Sequence, residues 1–306
     1  MDAGAAKLLV AVDVDGTLLN TEFDDVLGRR EIAALEAVRS AGHAVALCTG
    51  RNLPSVVHLL EGSGWFPDDL PLVLLNGAVV HGGVPRRELA CSVLEGPLVH
   101  RLVALFREHG TVPMVYGLDS DGGVLSHESR PVNDVLGRYL QMRRQGPGRL
   151  EAVPDLLARP WTRALEVGTI DRREPVQALT AAVARELGGA VRVVNTRSLL
   201  GEGAFWWAEA FHRDTGKGAG LAVVAADLGI PLSRAVAIGD NYNDLDMFAA
   251  CGTSVAMGNS PDDVKAAAGH LAGDVGQGGA AAVLEAIAAG AFPPAGAGGR
   301  AAEGMP

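Results

Sequence analysis

Short, wholly apolar runs recur along the first 80 positions, separated by stretches in which apolar residues return every three or four. The runs 8–12, 44–48 and 72–75 predict buried strands. Between the first two, residues 30–41 place Ile32, Leu35 and Val38 on one helical face, and Gly42 closes that helix. Pro54 suits the first turn of a second helix carrying Val56, Val57, Leu59 and Leu60. Strands separated by helices imply βαβ units and hence a parallel sheet.

From about Gly82 the pattern changes. Gly82, Gly83 and Pro85 break it, and a helix follows around 97–109. Hairpin-like runs at 112–116 and 123–127 then flank the turn-rich stretch 119–122. Residues 143–149 read as a basic, glycine-containing loop, and strands at 164–170 and 190–195 flank a helix over 174–187. Such a segment reads as an inserted α+β module. Regular alternation resumes with a helix at 219–228, a strand at 235–238, a short helix at 245–250 and a strand at 254–257. Helices near 261–268 and 279–289 complete it. The stretch 291–306, rich in Ala, Gly and Pro without periodicity, is expected to be disordered. The expected organisation is a discontinuous α/β core, 1–82 and 210–290, interrupted by an α+β insert, 83–209.

Composition narrows the class. The 306 residues have room for two compact domains or one large one, and 48% hydrophobic with 20% charged content is that of a soluble globular protein. A net charge of -10 argues against nucleic acid, whose partners are basic. No apolar run reaches the roughly 20 residues of a membrane helix. The opening MDAGAAKLLV carries one lysine and enters a strand directly, so no signal peptide is expected. Cys48, Cys91 and Cys251 are odd in number, widely spaced and without metal-type pairing, which fits a reducing cytoplasm. Of 26 basic residues only Lys7, Lys217 and Lys265 are lysines, so each lysine is conspicuous.

The strand ends carry the chemistry. Asp13 and Asp15 follow the first strand one residue apart, then Gly16 and Thr17. In an open α/β sheet the ligand lies beyond the carboxyl ends of the strands. Buried like charges there cost energy unless a cation or a proton compensates them, so the pair asks for a metal. Thr49 follows the second strand, Asn76-Gly77 the third and Asp240 the late one, while Lys217 opens a helix. Taken singly, each has a plainer reading: a solvated turn for Asp13–Gly16, an N-cap for Thr49, a surface lysine for Lys217, first-turn acids for Asp240 and Asp244. Arg51 reads equally as phosphate ligand or loop anchor. Asn76 reads as shaping its turn, Trp206 and Trp207 as boundary packing, and Arg130, Arg143, Arg144 and Arg163 as a solvated face. The histidines show no ligand spacing.

Taken together, four segments resemble the haloacid dehalogenase-like phosphatases, specifically the Cof-type subgroup with a large α/β cap. They are Asp13-Val14-Asp15-Gly16-Thr17-Leu18-Leu19, Thr49-Gly50-Arg51, Lys217-Gly218 and Gly239-Asp240-Asn241-Tyr242-Asn243-Asp244. Asn76-Gly77-Ala78 and Val255-Ala256-Met257-Gly258-Asn259 extend the similarity, which covers roughly residues 7–290. The resemblance implies a Rossmann-like parallel core with an inserted cap. It implies Asp13 as nucleophile and Asp15 as general acid, then base. It implies Mg²⁺ held by Asp13, the Asp15 carbonyl and Asp240, with Asn243 and Asp244 supporting it. Gly16 would let the backbone pass close to the phosphate, and Thr49 and Gly50 would hold phosphoryl oxygens. Arg51, Asn76 and Gly77 would line the phosphate site, and Lys217 would stabilise the developing charge.

The function implied is a cytoplasmic, Mg²⁺-dependent phosphatase of small-molecule phosphate esters, sugar phosphates first. A monomer or homodimer without nucleic-acid or membrane partner is expected. Two rivals stay open at this point: a phosphomannomutase-like phosphotransferase, and a non-enzymatic metabolite-binding module on the same scaffold.

Overall fold

The computed structural model describes residues 7–20, 26–83, 87–198 and 200–292. The expected disordered tail, from 293 onward, and the breaker at Pro85 lie outside the described residues. The chain opens with β1 (Leu9–Val12), α1 (Arg29–Ser40), β2 (Ala44–Cys48), α2 (Leu53–Gly62) and β3 (Leu72–Leu74). Asn52 caps α2 by accepting from the Ser55 amide at 3.1 Å, with Pro54 in the first turn. Then follow β4 (Val79–His81), β5 (Glu88–Cys91), α3 (Gly96–Glu108), β6 (Met114–Asp119), β7 (Gly122–Glu128) and α4 (Asp134–Gln145). The middle continues with β8 (Arg149–Val153), β9 (Ala164–Arg172), α5 (Arg173–Leu187), β10 (Val191–Arg197) and β11 (Phe205–His212). The last part holds α6 (Lys217–Leu228), β12 (Ala235–Gly239), α7 (Leu245–Ala250), β13 (Thr253–Ala256), α8 (Asp262–Ala267), β14 (His270–Leu271) and α9 (Gly279–Ala288).

These strands make two sheets. The first is eight-stranded, in the order β14-β13-β12-β1-β2-β3-β4-β5. It is parallel from β14 to β3, and β4 and β5 close one edge antiparallel. Alternate residues of β1 feed opposite faces, as the pleat requires. Val10 and Val12 pack with Leu35, Val38, Leu284 and Ile287 of α1 and α9. Leu9 and Ala11 pack with Leu221, Val224, Met247 and Phe248 of α6 and α7. A sheet covered by helices on both faces explains why its strands read as unbroken apolar runs. Chain order reverses at β1, with β2 on one side and β12 on the other. That switch point, at the carboxyl ends, is where doubly wound sheets bind ligands.

The second sheet is six-stranded, in the order β10-β11-β9-β6-β7-β8, antiparallel except for β7 with β8. One face packs on α3 and α5 through Val115, Val167, Ala208, Leu102, Phe106 and Leu179. From the other face, Met114, Tyr116 and Ile170 belong to the same buried cluster as the core strands. Two strands lie across the expected boundaries. β5 pairs into the first sheet although it follows position 83, and β11 runs past 209 within the second. The basic stretch 143–149 is not one loop: its first residues finish α4 and Arg149 begins β8.

Candidate active site

Asp13 leaves the end of β1 at the switch point, its amide donating to the Ile238 carbonyl of β12 at 2.9 Å. Asp240 leaves the adjacent strand, so the fold brings together two carboxylates more than 200 positions apart in sequence. Lys217, the first residue of α6, is wholly buried between Asp13 and Asp244, with Nζ 2.6 Å from Oδ1 of each. Asp244 is equally enclosed. Its Oδ2 accepts from the Asp240 and Asn241 amides at 2.9 and 3.0 Å, and with Asn241 it forms a capping box on the short turn that follows β12.

Charge is out of balance here. Carboxylate oxygens of Asp13, Asp240 and Asp244 lie within 4.8 Å of one another, all buried, beside a single ammonium. Burial pushes Asp13 up to about 7, with Lys217 pulling it down and Asp244 pushing it further up. Burial, then Asp13 and Asp244, raise Asp240 well above the usual carboxylate range. Burial works against the Lys217 charge, but Asp13 and Asp244 outweigh it and its pKa is raised. Three buried carboxylates over one cation leave negative charge that a hard divalent ion, which takes oxygen ligands, would offset. The residues therefore fit a divalent metal ion.

Asp15 is held by Arg51 rather than by Lys217. Arg51 forks onto its carboxylate, Nη2 to Oδ1 at 2.6 Å and Nε to Oδ2 at 2.9 Å. Gly16 has φ +87°, and a Cβ there would fall 2.3 Å from Asp240 Oδ2, so only glycine lets this turn pass the carboxylate. Asn259 fixes the same turn by donating to the Gly16 carbonyl at 2.9 Å. Thr49 is buried, and its Oγ1 accepts from the Arg51 amide at 3.0 Å. Leu75 and Asn76 both sit at positive φ, 48° and 52°, held by amides donating to the Arg51 and Thr49 carbonyls. Consecutive non-glycine residues in that region store strain of the kind found at functional sites. The turn spends it on aiming Asn76, which accepts from Asn243 Nδ2 at 2.9 Å and donates to Glu209 Oε2 at 3.2 Å. The Oδ1 of Asn243 is buried and accepts no hydrogen bond from any described residue.

A cavity of about 520 Å³ opens above these groups. Its floor includes Asp13, Asp15, Gly50, Arg51, Asn76, Asp240 and Asn243. Gly16, Thr49, Lys217 and Asp244 stand behind that floor, and Gly77 packs on Gly216, its φ +99° and a Cβ distance of 2.1 Å from the Gly216 carbonyl leaving no room for a side chain. Its roof comes from the second sheet and α4, with Tyr116, Tyr139, Arg143, Glu166, Trp207 and Glu209 among the lining. Of the arginines read as a solvated face, Arg143 lines the cavity, whereas Arg130 pairs with Glu128 and Arg163 with Glu88. Sequence reasoning singled out neither Glu166 nor Glu209. The available signal was an acid inside each apolar run, Glu166 in ALEVGTI and Glu209 in FWWAEAF.

A family model for haloacid dehalogenase-like hydrolases matches residues 10–284. The chain belongs to this family. Relatives include an HMP-PP phosphatase of Klebsiella pneumoniae, 26% identical over 271 residues, 86% of this chain and 88% of that one. A pyridoxal phosphate phosphatase of Escherichia coli is 27% identical over 289 residues, 87% of this chain and 93% of that one. Among solved structures, a sugar phosphatase of haloacid dehalogenase subclass IIB superposes with a TM-score of 0.70 at 19% identity, covering 91% of this chain and 98% of that one. The likeness to the last is one of fold. As a member of the family the chain is an enzyme, a phosphatase of the haloacid dehalogenase type.

Proposed function

We propose that the protein is a Mg²⁺-dependent phosphatase of small phosphorylated metabolites, sugar phosphates first, working through a phosphorylated Asp13. The observation that carries this reading is the Asp13–Lys217–Asp244 triad beside Asp240, a buried nucleophile held by a buried cation next to unneutralised carboxylate. Asp13 and Asp240 would hold the ion, with the Asp15 carbonyl as a third donor; Asp244 serves by fixing Lys217 and the Asp240 backbone. When bound, Mg²⁺ supplies positive charge that offsets the phosphoryl oxygens as an anion meets an anion.

Lys217 grips Asp13 by one oxygen, which orients the carboxylate and leaves the other for phosphorus. Attack by that oxygen breaks the bond from phosphorus to the leaving alcohol, whose oxygen takes the proton of Asp15. Water, giving its proton to Asp15, then attacks the same phosphorus; inorganic phosphate departs and Asp13 is restored. The Arg51 fork bears on this exchange. An arriving phosphate competes with Asp15 for the guanidinium, so the acid is released as the anion docks. Gly50, with its backbone on the cavity floor, and Asn76 complete the phosphate cradle. The roof excludes bulk water and selects the leaving group. A volume of about 520 Å³ holds a small ester and not a macromolecule.

The experiment is release of inorganic phosphate from a panel of sugar, polyol, nucleotide and pyridoxal phosphates, with Mg²⁺ and with EDTA. Metal-dependent release from at least one ester, without a bisphosphate activator, is expected. Transfer to a sugar hydroxyl without release would mark a phosphotransferase, and no reaction on any ester would return the metabolite-binding module.

A further inference from the structure

The six-stranded sheet turns one face to the active-site floor, and that face carries two acids among apolar neighbours. Glu166 on β9 and Glu209 on β11 are each only 9% exposed, and both line the cavity. Glu209 lies opposite Gly168, two positions along β9 from Glu166, so both side chains leave the same face of the sheet. A Cβ on Gly168 would fall 2.6 Å from Glu166 Oε1. The Glu166 side chain therefore crosses the bare glycine toward the position opposite Glu209.

Their partners differ. Glu209 accepts from Asn76 Nδ2 at 3.2 Å, which ties it to the floor. Glu166 accepts no hydrogen bond from any other described residue, and burial pushes it up to about 7 against the pull of Arg143. Its carboxylate opens onto the cavity, where an arriving ligand can supply the donor that the protein does not. Beside it Trp207 and Tyr139 meet edge to face at 4.9 Å and form an aromatic corner of the cavity. Acceptors on one side and aromatic surface on the other suit a ring with polar edges and an apolar face.

We propose that Glu166 and Glu209 form the leaving-group subsite and take phosphate esters whose ring, remote from phosphorus, presents at least two hydrogen-bond donors, hydroxyl or amino. This rests on the phosphatase reading of the same cavity. Two carboxylates at the roof also disfavour esters whose far end carries a second phosphate or a carboxylate, which sets a preference by repulsion as well as attraction.

The test compares kcat/KM on glucose 6-phosphate, pyridoxamine 5′-phosphate and p-nitrophenyl phosphate for the wild type and Glu166→Gln. The ratio of the better donor-bearing ester to p-nitrophenyl phosphate should fall by about tenfold or more, the loss expected when a charged acceptor is removed. Whether the glucose or the pyridoxamine ester loses more identifies hydroxyl or amine as the group read. An equal loss on all three esters, or no loss, overturns the subsite. Gly168→Ala keeps Glu166 but sets a methyl in its path, and should reproduce the change in ratio. Calorimetry on Asp13→Asn separates the two readings. Donor-ester affinity that drops with Glu166→Gln while the wild type turns over nothing supports the subsite and refutes hydrolysis. Turnover with an unchanged ratio and unchanged affinity does the reverse.

Discussion

Lys217 holds apart the two things its replacement would confuse, catalysis and stability. Its ammonium is the partner of two buried carboxylates, each at 2.6 Å. Lys217→Met would leave both without it, and breaking a buried pair from one side costs about 3–5 kcal/mol. Urea denaturation should show a loss of that order, partly recovered when Asp244→Asn is added. Turnover should also fall by about a hundredfold or more, the usual effect of removing a preorganised charge. Folded protein with near-wild-type kcat would refute its role. At Glu166 the expected effect runs the other way. Its pKa is raised by burial from 4.5 to about 7, with Arg143 pulling it back. A raised carboxyl contributes stability below its ordinary value and loses it as pH rises through the folded one. Glu166→Gln should therefore melt higher than the wild type at about pH 8, by the equivalent of about 1–3 kcal/mol, and gain little at about pH 5. Equal shifts at both pH values would contradict the burial of that charge.

At the scale of elements, the start of α6 is set by a close approach. Gly77, at φ +99°, packs on the Gly216 carbonyl immediately before Lys217. Gly77→Ala should cost about 1–3 kcal/mol from the strained backbone alone and should lower kcat by moving Lys217. Thermal melting and steady-state kinetics on the same preparation check both. Elements of this kind were legible where the sequence speaks in a single voice. β1, β2 and β12 are apolar runs that end in acids or threonine, because a parallel strand is buried on both faces and its end meets the ligand. α4 was not legible. Its sequence DVLGRYLQMRRQ carries Gly137 and three arginines, and it buries only Val135, Leu136 and Leu140. β11 was hidden too, since a lone Glu209 between aromatic and alanine residues reads as an interruption. Only the docking of the second sheet over the first turns Glu166 and Glu209 into cavity walls; nothing local to either strand encodes it.

For the whole molecule, function depends on two sheets meeting across one cavity. Arg192 of β10 bonds Asp246 of α7 at 2.8 Å, Trp206 of β11 stacks on Tyr242 at 5.9 Å, and Glu209 accepts from Asn76. These contacts hold the roof to the floor on the side where Lys217 enters. Metal bound at the unneutralised carboxylates would stabilise the fold. Mg²⁺ at a hundred times its dissociation constant should stabilise the protein by about 2.7 kcal/mol. EDTA should reverse the shift and Asp240→Ala should abolish it; melting that ignores Mg²⁺ would contradict the ligand assignment.

The central claim is that phosphorus passes through Asp13. Single turnover with a hydrolysed ester and Mg²⁺, quenched in acid and read by peptide mass spectrometry, tests it most directly. A phosphoryl group on Asp13 that forms and decays with phosphate release is expected. Phosphate released at the same rate with Asp13 never modified, or with the label on another residue, would contradict it.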